Sequence, residues 1–179
     1  MFAIIDIETT GSNYKNSKIT EVAIFQHNGQ QITDSYSTLI HPEMDIPYFI
    51  TRLTGISNEM VKEAPKFYEV GKKIVEMTAG RIFVAHNVSF DYNFIKEEYK
   101  RLGYEYNAKK LCTVQLSRKL LPGHRSYSLG KLCFDLGIEI NGRHRAAGDA
   151  LATVKLFEIL LEKNKSVNGI KAINNYRLF

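Results

Sequence analysis

Only two of the 179 residues are cysteine and only four are proline. Cys112 and Cys133 are too few and too isolated to form a disulfide framework, so the fold must be held by its own core. Neither cysteine is assigned a role. No apolar run is long enough to span a bilayer and no secretory leader pattern is present, so no membrane partner is expected and a reducing, cytoplasmic compartment is. Internal repeats and low-complexity tracts are missing too, which excludes solenoids and tail-dominated proteins. What is there is ordinary globular composition, 44% hydrophobic and 24% charged. The length suits one domain that buries most of its apolar surface. Lys and Arg number 24 against 19 Asp and Glu, a net charge of +5. That balance suits a polyanionic partner without identifying one.

Phe2 to Thr10 reads FAIIDIETT, a β-branched run interrupted only by Asp6 and Glu8 and closed by Gly11. It is expected to be a central strand. Ile19 to Gln26 and Ile32 to Ile40 are also strand-like, and Asn28-Gly29 between them signals a hairpin because both positions tolerate positive φ. These three strands should form an antiparallel meander. Pro42, Pro47 and Gly55 then break the pattern into short helices and loops, before a helix over about Lys66 to Met77. A short strand is expected at Arg81 to Ala85. Phe90, Phe94, Ile95, Tyr99 and Leu102 follow at helical spacing, with Gly103 placed as a C-terminal stop. Lys110 to Thr113 reads as a fifth strand, Val114 to Leu121 and Ser128 to Leu136 as helices. Ala150, Val154, Phe157 and Leu161 mark a last helix ending near Glu162. Three strands followed by alternating helices and strands imply an α/β fold with a mixed five-stranded sheet flanked by helices. The domain is expected to cover residues 1–163, leaving 164–179 as a C-terminal tail.

The chemistry is carried by carboxylates. Asp6 and Glu8 stand two apart on a strand, so their side chains leave the same face a few ångströms apart. Two carboxylates in an apolar central strand are costly to desolvate and repel each other; they require a cation, a proton or an open cleft. Asp91 and Asp149 each fall in the first turn of a helix, where the dipole favours an anion and where an aspartate alone is commonly just stabilising. His144 precedes Asp149 by five residues in RHRAAGD. Among carboxylates it is the one group able to accept a proton near neutral pH. Four carboxylates suit Mg²⁺ or Mn²⁺ rather than zinc, for which there is no cysteine–histidine grouping. The other histidines are read as bystanders: His27 and His41 as surface or loop residues, His86 as a strand-end hydrogen-bonding group, His124 as part of a basic turn. His124-Arg125 with Lys109, Lys110, Arg118 and Lys119 could follow a phosphate backbone or form a plain solvated face.

Three motifs, in order, resemble the DnaQ-like proofreading exonucleases of the DEDDh type, related to the ε subunit of bacterial replicative DNA polymerase. They are Asp6-Ile7-Glu8-Thr9-Thr10-Gly11, Asn87-Val88-Ser89-Phe90-Asp91, and His144 followed by Asp149. Any one arises by chance; all three, correctly ordered and placed, rarely do. The resemblance covers about residues 1–163, including Leu53-Thr54-Gly55-Ile56.

The resemblance implies a ribonuclease H-like fold and metal-dependent 3′→5′ hydrolysis of DNA to nucleoside 5′-monophosphates in proofreading or repair. It implies two Mg²⁺ or Mn²⁺ ions per site. Asp6 would bridge both, Glu8 and Asp149 would complete the first, and Asp91 would hold the second. His144 would be the general base. Thr9, Thr10, Leu53, Thr54, Asn87, Phe90 and His144 would meet the terminal nucleotides, with Phe90 wedged between bases. The implied partners are single-stranded DNA or frayed 3′ ends and a replicative polymerase. Asn174 to Phe179 loosely resembles peptides that dock on sliding clamps. Two other readings stay open: an RNA-trimming exoribonuclease of the same superfamily, and a catalytically silent nucleic-acid-binding scaffold. Sugar preference depends on contacts to the 2′-hydroxyl that the motifs do not encode.

Overall fold

The computed structural model describes residues 1–168. Five strands, β1 (Phe2–Thr9), β2 (Ile19–His27), β3 (Ile32–Leu39), β4 (Ile82–Ala85) and β5 (Lys110–Cys112), form one sheet in the order β3-β2-β1-β4-β5. β1, β2 and β3 pair antiparallel as the expected meander; β4 and β5 run parallel to β1. The helices are α1 (Tyr48–Thr54), α2 (Asn58–Val61), α3 (Phe67–Thr78), α4 (Ser89–Arg101), α5 (Thr113–Leu120), α6 (Leu129–Asp135) and α7 (Ala146–Asn168).

Parity along β1 divides the core. Ala3, Ile5 and Ile7 pack with Ile74, Phe94 and Ile95 from α3 and α4. Phe2 and Ile4 pack with Val154, Phe157 and Leu161 of α7. Phe157 is fully buried with its ring 4.8 Å from that of Phe2, a burial worth roughly 2–3 kcal/mol. Because side chains alternate along a strand, Asp6 and Glu8 continue the α7 face beyond Ile4. The fold therefore aims the doublet at the start of α7. On the opposite face, α4 ends as its sequence implies: Gly103 takes φ +82 and Tyr104 N donates to Tyr99 O at 2.9 Å, which satisfies the last carbonyls.

Three local expectations are corrected. In the β2–β3 hairpin only Gly29 adopts positive φ. Asn28 acts instead through its side chain, whose Oδ1 accepts from Gln30 N and Gln31 N. This lengthens the loop to four residues between paired His27 and Ile32. The last helix continues past Glu162 to Asn168; polarity ends an amphipathic stripe, but Lys and Glu sustain helix well in its absence. His27 is 1% exposed, not a surface residue. It closes β2 under α7, where its Nδ1 accepts from Gly29 N and its Nε2 meets Glu158 Oε1 at 3.1 Å. An imidazole accepting at Nδ1 carries its proton on Nε2, so it donates to Glu158. Among the described residues no helix is long and apolar enough to cross a membrane. The clamp-like segment Asn174 to Phe179 lies outside the described residues.

Candidate active site

Asp6 and Glu8 on β1 meet Asp149 from the first turn of α7: one ligand oxygen from each lies within 4.8 Å of the others. Asp91 reaches the same end of β1 from α4 and is outside that group of three. Its Oδ1 accepts from Ile7 N at 3.2 Å. The opening it uses has a simple origin. Pairing between β1 and β4 runs only from Phe2 to Ile4, so the next amides on that edge of β1 are left for another acceptor, and a backbone N–H away from water requires one. Asp91 is 3% exposed, whereas Asp6, Glu8, Asp149 and His144 are each partly open to solvent.

Desolvation dominates the electrostatics. Burial, then repulsion from Asp91, Asp149, Glu8 and Glu21, drives Asp6 well above the ordinary carboxylate range. Burial followed by Asp149 and Glu21 lifts Glu8 to about 7 against a smaller opposing pull from Arg145. Burial carries Asp91 to about 8 despite the Ile7 amide. Asp149 is raised by burial and partly relieved by His144. Full ionisation of this cluster near neutral pH requires compensating positive charge.

His144 has φ +59, a left-handed conformation uncommon for a residue with a side chain, and its N–H donates to Asp149 Oδ2 at 3.1 Å. Its loop folds tightly onto α7: a Cβ added to Gly148 would collide with the backbone carbonyls of Asn141 and Gly142. The small residues of RHRAAGD thus serve a backbone approach. Asn87, at the end of β4, is also left-handed at φ +74 and is exposed.

The residues expected to touch nucleotides are spread around this centre. Thr9 Oγ1 donates to Gly11 O at 2.7 Å; Thr10 Oγ1 accepts from Lys18 N and contacts Met44 Sδ at 3.5 Å. Both threonines are buried. Leu53 is 54% exposed on α1. Thr54 beside it is buried, donating to Ile50 O and accepting from Ile56 N, so its hydroxyl is occupied internally. Phe90 is partly buried against Phe94, ring centroids 4.9 Å apart. His86 bridges Thr113 Oγ1 and Tyr127 O, as a strand-end hydrogen-bonding residue should. Of the basic residues, Lys110 lies over the Tyr92 ring, Arg118 over Tyr127, and His124 pairs with Asp135.

Sequence reasoning missed two features. Glu21, directly opposite Glu8 in the β1–β2 ladder, is 4% exposed and bound by Arg145. The parity argument applied to Asp6 and Glu8 would have flagged it inside ITEVAIF. Tyr48 and Phe49, 77% and 67% exposed on α1, form an apolar face with Leu53 that no periodicity marked. A cavity of about 650 Å³ opens at the other end of β1, lined by Phe2, Thr78, Arg81, Tyr106 and Lys109 among others. None of the four carboxylates lines it.

A mixed sheet presenting clustered carboxylates at one end of its central strand is a ribonuclease H-like architecture. The sequence matches the RNase_T exonuclease family over residues 3–157, and the chain belongs to that family. It is 39% identical over 173 residues to the PolC-type DNA polymerase III of Caldanaerobacter subterraneus subsp. tengcongensis, covering 97% of this chain and 12% of that protein. It is 40% identical over 164 residues to the 3′-5′ exonuclease DinG of Bacillus subtilis, covering 90% of this chain and 18% of that one. The chain thus spans less than a fifth of the length of these relatives. Exonuclease X, solved in complex with 5′ overhanging duplex DNA, superposes with a TM-score of 0.73 at 27% identity, over 90% of this chain and 92% of that one. The nuclease domain of 3′hExo shares the fold at a TM-score of 0.78 and 21% identity, over 90% and 91% of the two chains.

Proposed function

We propose that this domain is a metal-dependent 3′→5′ exonuclease that shortens DNA from its 3′ end, releasing nucleoside 5′-monophosphates. The observation that carries the reading is the convergence of Asp6, Glu8 and Asp149 within 4.8 Å, beside a buried Asp91 and a histidine.

The donor set fits hard divalent cations. Its ligands are all carboxylate oxygen, which suits Mg²⁺ or Mn²⁺. Burial raises the pKa of Glu8 to about 7 and of Asp91 to about 8, and a bound cation would favour their ionised forms. Asp6, Glu8 and Asp149 would hold one ion, and Asp6 with Asp91 a second. A bound pair supplies charge neutralisation at the phosphate and at the leaving 3′ oxygen. The chain's own residues do the rest. The His144 imidazole accepts a proton from the attacking water as the new P–O bond forms and the P–O3′ bond breaks. The His144 N–H holds Asp149, so proton acceptor and carboxylate are set by one loop. Phe90 and Leu53 offer apolar surface to terminal bases, and stacking on such surface tolerates every base. The backbone at Thr9 and Thr10, with Asn87, borders the terminal nucleotide; Thr54 contributes by fixing the turn beyond Leu53. Similarity to a PolC-type polymerase and to a DNA-bound exonuclease supports single-stranded or frayed DNA ends as substrate and a replicative polymerase as partner. A cytoplasmic location belongs to the same proposal, supported by two free cysteines.

The test is digestion of 3′-labelled single-stranded DNA, duplex DNA and RNA with and without Mg²⁺, with Asp6→Ala as control. Mononucleotide release from DNA is expected, dependent on metal and reduced by more than about 100-fold in the variant. No release from any substrate with Mg²⁺, or with Mn²⁺ in its place, would overturn the reading, and preferential digestion of RNA would overturn its DNA half.

A further inference from the structure

Glu21 and Glu8 face each other directly across the antiparallel β1–β2 ladder. Opposed residues share a sheet face, and like charges there are destabilising. Yet only Glu8 joins the group of three carboxylates. Both oxygens of Glu21 are spent elsewhere. Oε1 accepts from Arg145 Nη2 at 2.7 Å; Oε2 accepts from Arg145 Nε at 3.0 Å and from Ala146 N at 2.8 Å. The guanidinium fork fixes direction as well as charge. The third bond ties the first residue of α7 to β2, satisfying an amide that the helix itself leaves unpaired.

These contacts fall between His144 and Asp149. Arg145 follows the left-handed His144 directly, and its carbonyl accepts from Asp149 N at 3.0 Å, the opening bond of α7. A side-chain-bearing residue held left-handed is strained and persists only where its surroundings over-determine it. At the buried Glu21 carboxylate, three donors from two successive residues provide that constraint.

We propose that Glu21 and Arg145 form a positioning pair: they fix the turn that presents the His144 imidazole and the Asp149 carboxylate to Glu8 and Asp6, and touch neither substrate nor metal. The proposal rests on the reading of the site given above, with His144 as proton acceptor.

The experiment compares Glu21→Gln, Arg145→Lys and Arg145→Ala, each alone and combined with His144→Ala, for kcat and KM on labelled single-stranded DNA with Mg²⁺. Alongside, NMR of ¹³C-labelled histidines follows the His144 ring. Loss of an orienting partner behind a reacting group costs about 10–100-fold. Arg145→Ala should lower kcat by about that factor with KM within about twofold. Arg145→Lys should restore part of the loss, since it keeps the charge without the fork. In the His144→Ala background the same changes should lower the residual rate by a clearly smaller factor, the part that remains reporting the displaced Asp149, because coupled residues are not additive. The His144 signal should move or broaden in Arg145→Ala while those of His27 and His86 stay. Equal losses in both backgrounds, a raised KM at unchanged kcat, or an unmoved His144 signal would overturn the pairing. Should Arg145→Ala not fold, Glu21→Gln and Arg145→Lys carry the same comparisons. An inactive wild type whose His144 signal still responds to Arg145→Ala would sink the nuclease reading and leave the positioning role standing. An active enzyme indifferent to Arg145→Ala would do the reverse.

Discussion

Stripping divalent cations and raising the pH should weaken this domain, a direction opposite to that of proteins whose carboxylates are salt-bridged. The sign follows from the acidities. Glu8 rises from 4.5 to about 7 and Asp91 from 3.8 to about 8, with Asp6 and Asp149 displaced the same way. Between those limits the folded chain binds more protons than the unfolded one, so stability is full below pH 4 and is lost as pH climbs through 7 and 8. At about 1.4 kcal/mol per tenfold change, Glu8 alone accounts for at most roughly 3 kcal/mol. For a domain of this size that corresponds to a fall in Tm of about 6–12 °C. The assay is a set of thermal melts followed by circular dichroism at pH 5, 6, 7 and 8 in EDTA, repeated with Mg²⁺. Cation at about a hundred times its Kd should restore roughly 2.7 kcal/mol. Asp6→Asn, which removes one charge without changing shape, should flatten the EDTA series. A Tm that is level or rising from pH 5 to pH 8 without metal, or an Asp6→Asn series as steep as wild type, would refute the argument.

Three further outcomes concern the loop before α7 and the two glycines packed against it. His144→Ala should cut kcat by about 10²–10⁴-fold while leaving Mn²⁺ affinity by calorimetry nearly unchanged; an unaltered rate would remove it from the mechanism. Alanine in place of glycine within a helix normally gains up to about 1 kcal/mol, but Gly148→Ala should lose more than about 2 kcal/mol, because its Cβ meets rigid carbonyls. Gly130→Ala meets only the movable guanidinium of Arg143 and should stay within about 0.5 kcal/mol of wild type; chemical denaturation of the pair checks both.

The fold was largely legible because its signals are local. An apolar run broken at Asp6 and Glu8 identified β1, and Gly103 marked the end of α4 by a conformation that residue adopts freely. The carboxylates were legible because a charge on a buried face is expensive and conspicuous. What escaped was set by contacts distant in sequence. His27 reads as polar and terminal, and only the approach of α7 makes it a buried ring beside Phe157. The length of α7 depends on its packing rather than on its apolar stripe. Glu21 and Arg145 are 124 residues apart, and neither implies the other until the ladder sets Glu21 opposite Glu8.

The paired acids Glu8 and Glu21 show why residue type alone could not separate ligand from scaffold. They are chemically identical, opposed in one ladder and set on one face of the sheet, and their fates differ because of what arrives above each. Asp149 descends on Glu8 and adds negative charge, which leaves Glu8 in want of a cation. Arg145 and the amide of Ala146 descend on Glu21 and neutralise it. One turn of chain, from His144 to Asp149, delivers both neighbours at once. That turn is where a strand with two glutamates is sorted into one that can grip an ion and one that holds the gripping loop in place. A substitution that relaxes the turn is therefore expected to disturb the two roles together.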